Sequence, residues 1–187
     1  QELERNRYTR LTLESDTSTM IPLDEENLVA KYLDAFKNAK DDKPITLVST
    51  KELSKQYNEL IRRSLFPNKT TVQPGDWIMF TENRMINHHR VFNGGFAKIL
   101  KVMGCKNDSK KVIDGYRNLR FRDVELEFIN EHGEKVITEC SLFEDILDAS
   151  GSTVPNEEWL EHLIDNPIYY DAIYAQYGYS TTVHKAQ

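Results

Sequence analysis

The sequence predicts an α/β layer interrupted by a small antiparallel β-barrel, and three observations predict it. A short β-rich run, Ile45-Thr46-Leu47-Val48, stands between two segments whose apolar residues recur at helical spacing. From Pro67 to about Glu139 the pattern changes to short strands and turn signals without a convincing helix. Helical signals then return with Ser141 to Asp148 and Asn156 to Ile164. Strand, loop and helix in succession are the mark of an α/β layer. Four or five short strands in about 70 residues suggest a barrel of SH3-like size.

The first stretch, to about Met20, is polar and carries no clear element. Leu23 to Lys40 reads as a helix, because Leu28, Val29, Tyr32, Leu33 and Phe36 form one apolar stripe. Asp24 is its expected N-cap, and Asp41-Asp42-Lys43-Pro44 ends it. Ile45 to Val48 is apolar on both faces, as in a buried parallel strand. Ser49 and Glu52 then have capping-box spacing, opening a helix to about Arg63 with Leu53, Tyr57, Leu60 and Ile61 as its buried stripe. Asn58 and Arg62, four apart, are expected on a different face. Pro74-Gly75-Asp76 turns into Trp77 to Phe80, and Asn93-Gly94 turns into Phe96 to Val102, with Gly75 and Gly94 as turn residues. Val124, Leu126 and Phe128 alternate with Asp123, Glu125 and Glu127, and Glu131-His132-Gly133 closes a hairpin onto Lys135 to Glu139.

Composition narrows the function classes. With 39% hydrophobic and 29% charged residues the chain is globular rather than disordered. No apolar run approaches the roughly 18 residues that span a bilayer, and no leader-like start is present. Cys105 and Cys140 are too few for a disulfide scaffold and fit a reducing compartment, so the expected location is the cytoplasm, with no membrane partner. The chain begins at Gln1 and stops at Gln187 directly after a motif-rich stretch, so it is expected to be a fragment or excised domain. A net charge of −6 argues against a protein that simply coats nucleic acid. The distribution is uneven, however. Lys98, Lys101, Lys106, Lys110, Lys111, Arg117, Arg120 and Arg122 face only Asp108 and Asp114 in their segment, an expected long loop that either attracts phosphate or is solvated.

The sharpest signal is Tyr177-Gly178-Tyr179-Ser180-Thr181-Thr182-Val183-His184-Lys185-Ala186-Gln187. Hydroxyls, an imidazole, an ammonium and an amide follow an expected strand here, groups that suit a loop gripping phosphate and sugar without reading bases. A polar strand end with surface residues is the plainer alternative. Trp77, Phe80 and Phe92 are aromatics that stack on bases or fill a barrel core. His88, His89 and His132 lack metal-ligand spacing, and Cys105 with His132 or His162 lacks a thiol-catalyst motif.

This closing segment resembles a motif near the end of superfamily 1 DNA helicases of the RecD and Dda type, with Ser180 where those proteins carry Ala. Two further segments resemble the same family in the same order. Val48-Ser49-Thr50-Lys51 followed by Tyr57-Asn58-Glu59-Leu60-Ile61-Arg62 is similar to its Ser/Thr-rich loop and N-x-x-I-R helix. Val72-Gln73-Pro74-Gly75-Asp76-Trp77-Ile78-Met79 and Val91-Phe92-Asn93-Gly94-Gly95 are similar to the segments that open an SH3-like barrel inserted in the second motor domain. The resemblance covers roughly Ile45 to Gln187 and leaves the first forty residues unmatched.

The resemblance implies a partial RecA-like domain of the P-loop NTPase type, with a UvrD-like C-terminal character. Residues 1–66 would be its first part, 67–140 the inserted SH3-like β-barrel, and 141–187 the return to the motor. It implies a fragment of an ATP-dependent DNA helicase, akin to the alpha subunit of exodeoxyribonuclease V, serving repair or recombination. Thr181, Thr182, His184 and Lys185 would face single-stranded DNA, Ser49, Thr50 and Lys51 would touch the strand backbone, and Asn58 and Arg62 would brace that loop. The partners implied are single-stranded DNA and the remaining motor domain. No G-x-x-x-x-G-K-[ST] occurs in the sequence, so no cofactor is expected here. ATP and magnesium belong to the full-length parent, and the chain alone is expected to be inactive as an ATP hydrolase. The alternative is a non-enzymatic SH3-like module that binds protein or nucleic acid.

Overall fold

The computed structural model describes residues 24–39, 43–112, 115–147 and 171–182, with side chains undescribed from 107 to 118. The expected helix Asn156 to Ile164, and His184 and Lys185, lie outside the described residues. Helix α1 spans Glu25–Asn38. It starts at Asp24, whose backbone carbonyl accepts from Asn27 N at 3.0 Å while its side chain makes no cap bond. Its stripe packs inward through Tyr32, which is buried, with Leu28, Val29 and Phe36 half-buried against the core.

Strand β1 spans Thr46–Val48 and helix α2 spans Lys51–Leu65. The cap of α2 is Thr50 rather than Ser49, with Thr50 Oγ1 accepting from Leu53 N at 3.2 Å. Its buried face is Ser54, Tyr57, Asn58, Ile61 and Arg62. Asn58 and Arg62 therefore share the inner face with Tyr57 and Ile61, and Leu60 is 49% exposed. The expectation of a separate polar face fails because α2 lies against a strand backbone and a buried carboxylate, which polar side chains satisfy and leucine does not.

The antiparallel part comprises β2 (Trp77–Phe80), β3 (Arg84–Ile86), β4 (His89–Val91), β5 (Phe96–Val112), β6 (Gly115–Ile129), β7 (Lys135–Phe143) and β8 (Ala175–Tyr177). One sheet has the order β7-β6-β5-β2-β8, and β3 pairs β4 in a separate ribbon. Gly75 and Gly94 adopt positive φ, as their turns require. The strands form no closed barrel among the described residues. The two sides of the five-stranded sheet meet only at an isolated parallel bridge, Leu142 to Ile173.

Two sequence expectations change here. The basic segment is not a loop but the 17-residue β5 and 15-residue β6, an antiparallel pair registered from Ala97↔Phe128 to Val112↔Gly115. Ser141 to Phe143 continues β7, and only a single 3-10 turn, Glu144–Ile146, follows where a helix was expected. That turn is held by its acids: Asp145 pairs with Arg120 at 2.7 Å and Glu144 with Arg122 at 2.8 Å, while Glu144 also accepts from Val72 N at 2.8 Å.

A ninth strand, β9 (Ser180–Thr182), pairs parallel with β1. One core runs through both parts, from Tyr32, Tyr57 and Ile61 to Ile78, Ile99, Leu126 and Tyr179. The result is a mixed α/β protein, mostly antiparallel, with few helices. No described helix is long and apolar enough to cross a membrane.

Candidate functional site

The parallel pair β1–β9 sets the geometry of the site. Its register is Thr46↔Ser180, Leu47↔Thr181 and Val48↔Thr182. Parallel neighbours end on the same side, so Ser49 leaves β1 at the edge where the chain leaves β9 after Thr182. Ligands of α/β sheets sit at this carboxyl edge. Ser49, Thr50 and Lys51 are exposed there, at the amino end of α2, where unpaired backbone N–H groups favour anions.

What holds β9 in place comes from α2. Asn58 Oδ1 accepts from Ser180 N at 2.6 Å, and Asn58 Nδ2 donates to Ser180 O at 3.2 Å. Ser54 Oγ donates to the same carbonyl at 2.9 Å. Ser180 itself is fully buried, and its Oγ has no hydrogen-bond partner among the described residues. The hydroxyl thus contributes no bond at the position where the resembled family carries Ala.

A second polar junction lies one residue back. Arg62 meets Asp76 through Nε–Oδ1 and Nη2–Oδ2 contacts, each 3.1 Å. Tyr179 Oη donates to Asp76 Oδ1 at 2.5 Å, and Gln73 N donates to Oδ2 at 2.7 Å. Burial pushes the Asp76 carboxyl up, opposed by the Arg62 charge and by hydrogen bonds from Tyr179, Arg62 and Gln73. Burial likewise raises Tyr179, with the Asp76 charge adding to it. Arg62 also lies over the Tyr177 ring at 4.3 Å. One residue or more from each of the three motif segments therefore meets in this junction.

The expected contact residues divide accordingly. Ser49, Thr50 and Lys51 are exposed at the edge. Asn58 and Arg62 are buried, at 6% and 5% exposure, and their side chains bond Ser180 and Asp76 rather than the Ser49–Lys51 loop that they were expected to brace. Thr181 is buried with its hydroxyl 3.5 Å from Met79 Sδ, and Thr182 is buried as well, so neither side chain lies open. The alternation of a strand turns one of them inward whatever the other does, and a single sequence gives no sign of what covers the second. His184 and Lys185 lie outside the described residues.

The basic segment is partly neutralised. Lys106 pairs with Asp123 at 3.0 Å, Arg120 and Arg122 with Asp145 and Glu144, and Lys98 and Lys101 stand across from Glu127 and Glu125 in the register. Phe80 is buried against Phe128, and Trp77 is half-buried, leaving Phe92 as the exposed member of the three aromatics. Among the described residues no group of three His, Cys, Asp or Glu is placed to hold a metal ion.

Lys43 is a residue that the sequence presented only as part of a helix-ending turn. Its Nζ donates to Gly178 O at 2.6 Å and lies 3.7 Å from the Phe96 ring centre and 5.4 Å from that of Trp77. Gly178 is closely approached here: a Cβ would stand 3.0 Å from both the Ile78 carbonyl carbon and Phe96, so one of them would have to give way. Burial lowers the Lys43 ammonium from 10.5 to about 7. Between those values the unfolded chain holds the proton and the folded chain does not. This group's contribution to stability therefore rises with pH from about 7 to about 10.5 and is flat below. The ring faces favour the cation and soften the slope, leaving on the order of 1 kcal/mol per pH unit. Urea unfolding of the wild type and Lys43→Met at several pH values should show the wild type gaining on the variant across this window. A pH-independent difference would contradict the assignment.

No family model matches the chain, and no curated protein matches it.

Proposed function

We propose that the chain is part of an ATP-dependent DNA helicase and contributes a grip on the backbone of single-stranded DNA without binding ATP itself. In this reading β1, β9 and the flanking helices belong to a RecA-like motor domain, and the antiparallel sheet is an SH3-like insertion. The observation that carries it is the shared carboxyl edge of β1 and β9, where Ser49-Thr50-Lys51 follow β1 and Thr182, two residues before His184 in the sequence, ends β9. Hydroxyls and ammonium groups at such an edge hold phosphates without reading bases, which suits a protein that moves along a strand. The remaining motor domain would supply the phosphate-cradling loop and the magnesium site.

Fluorescence anisotropy of the chain with a labelled oligothymidylate at several salt concentrations tests the reading. Affinity should fall as salt rises, and Lys51→Ala with Lys185→Ala should weaken it and flatten the slope by about 0.7 per lost phosphate contact. Binding by the double variant with wild-type affinity and slope would remove the edge as the site, and DNA-stimulated ATP turnover by this chain would contradict the division of labour.

A further inference from the structure

The β3–β4 ribbon has one face in the core and one in solvent. Ile86 and Val91, each 3% exposed, point inward. Met85 and Arg90 stand opposite each other in the register, and Met85 is 56% exposed and Phe92 45%. The Arg90 guanidinium lies 5.2 Å from the centre of the Phe92 ring. The ribbon turns at Asn87 and His88, both at positive φ, the geometry of a tight hairpin turn.

The ribbon is also fixed at several points. Asn87 Nδ2 donates to Thr138 Oγ1 and to Glu139 O, each at 2.9 Å, and Arg90 N donates to Glu131 Oε2 at 3.1 Å. Arg84 pairs with Glu82 at 2.9 Å and donates to Ala172 O at 2.6 Å. Ordering this surface on binding therefore costs little conformational entropy.

Charge argues for the occupant. From Asn83 to Asn107 the sequence has no Asp or Glu. Within that run Arg84 and Lys106 pair with Glu82 and Asp123, while Lys98 and Lys101 only stand across from Glu127 and Glu125 in the register, Glu127 itself pairing with Lys135. Arg90 has no ion pair among the described residues, and Glu131 beside it gives one oxygen to the Arg90 backbone N–H. A proline-rich peptide needs a groove lined by several aromatics, whereas Phe92 is the one aromatic among the exposed large hydrophobics of the described residues.

We infer that Met85, Arg90 and Phe92 form a second contact for single-stranded nucleic acid, where a base stacks on the Phe92–Arg90 pair and Arg90 also meets a phosphate. Stacking of this kind is tolerant of sequence. The inference rests on the reading that the β1–β9 edge holds the same strand. The ribbon follows β2 in the chain, and β2 pairs with β8, the strand that leads into β9.

The test uses the full chain and an oligothymidylate of about 20 nucleotides carrying 5-iodouracil, cross-linked by light and mapped by mass spectrometry. Cross-links should fall on the segment from Met85 to Phe92. Phe92→Ala should weaken binding on the order of tenfold, with Phe92→Tyr retaining affinity and all three proteins melting alike. If cross-links fall only near Ser49 to Lys51 and Phe92→Ala binds as the wild type does, this inference fails and the edge reading stands. Ribbon cross-links with no effect of Lys51→Ala support the ribbon and remove the edge. Absence of DNA binding, or Phe92-dependent binding of a proline-rich peptide in its place, overturns the inference.

Discussion

Arg62→Met is expected to destabilise the protein by about 3–5 kcal/mol, because it strands a buried carboxylate. The side chains of Arg62 and Asp76 are 6% and 0% exposed. Methionine keeps much of the volume and the contact with Tyr177 but removes every donor. Besides Asp76, the Lys69 carbonyl, now 2.9 Å from Nη1, loses this donor, and the Thr71 carbonyl, 2.6 Å from Nη2, keeps only Gln73 Nε2 at 2.9 Å. Urea unfolding measures the loss. The penalty should grow as pH rises above the ordinary carboxylate range, since burial without Arg62 holds the Asp76 carboxyl above its unfolded value and a raised acid loses stability as it ionises. Adding Asp76→Leu should recover part of the loss, since an apolar pair carries no unpaired buried charge. A cost below about 1 kcal/mol for Arg62→Met would mean that this junction does not hold the α/β layer to the antiparallel sheet.

That junction also explains which features were legible in the sequence. Local patterns reported local structure well: the α1 stripe, the Glu131-His132-Gly133 turn and the alternation along β6 rest on contacts between near neighbours or on one buried face. Strand β1 pairs in parallel as expected, but with distant β9, and it is not buried on both faces, since Leu47 is 52% exposed. The polar inner face of α2 was not legible in that way. Hydrophobic spacing assumes that helix faces meet apolar surfaces, and here the face meets the Ser180 backbone and Asp76, which are 122 and 14 residues away in sequence from Asn58 and Arg62. The segment from Lys98 to Arg122 misled for a related reason. Its charges look like a loop until β6 and the Glu144–Ile146 turn bring Asp123, Glu144 and Asp145 to them.

The candidate site followed the same division. Motif segments pointed to Ser49-Thr50-Lys51 and to Thr181 and Thr182, and the pairing of β1 with β9 placed the ends of both strands together. Which side chains remain open at that edge depends on what lies across from them. Met79 beneath Thr181 comes from a strand about a hundred residues earlier, and no spacing rule announces it. Arg90 and Met85 escaped notice because a three-residue strand carries too little alternation to reveal its outer face.

Asn58→Ala is expected to cost about 2–4 kcal/mol, and its effect should be local before it is global. Only an amide oriented with Oδ1 toward Ser180 N and Nδ2 toward Ser180 O satisfies both backbone groups, and Ser180 is fully buried. Alanine leaves the N–H without a partner, while the carbonyl keeps only Ser54 Oγ. Asn58→Asp should be no better at neutral pH, since it keeps the acceptor but sets a carboxylate oxygen against the Ser180 carbonyl. Hydrogen exchange distinguishes a brace from general packing. In Asn58→Ala the amides of Thr46 and Ser180 should exchange on the order of a hundredfold faster, with the β5–β7 amides following only the change in global stability. If β9 is the mount for a strand-gripping edge, DNA affinity should fall in the same variant under conditions where it remains folded, because a loosened β9 no longer fixes Thr182 beside the end of β1. Uniform acceleration across both parts of the protein would instead make Asn58 an ordinary core residue, and the edge would have to be held by β1 alone.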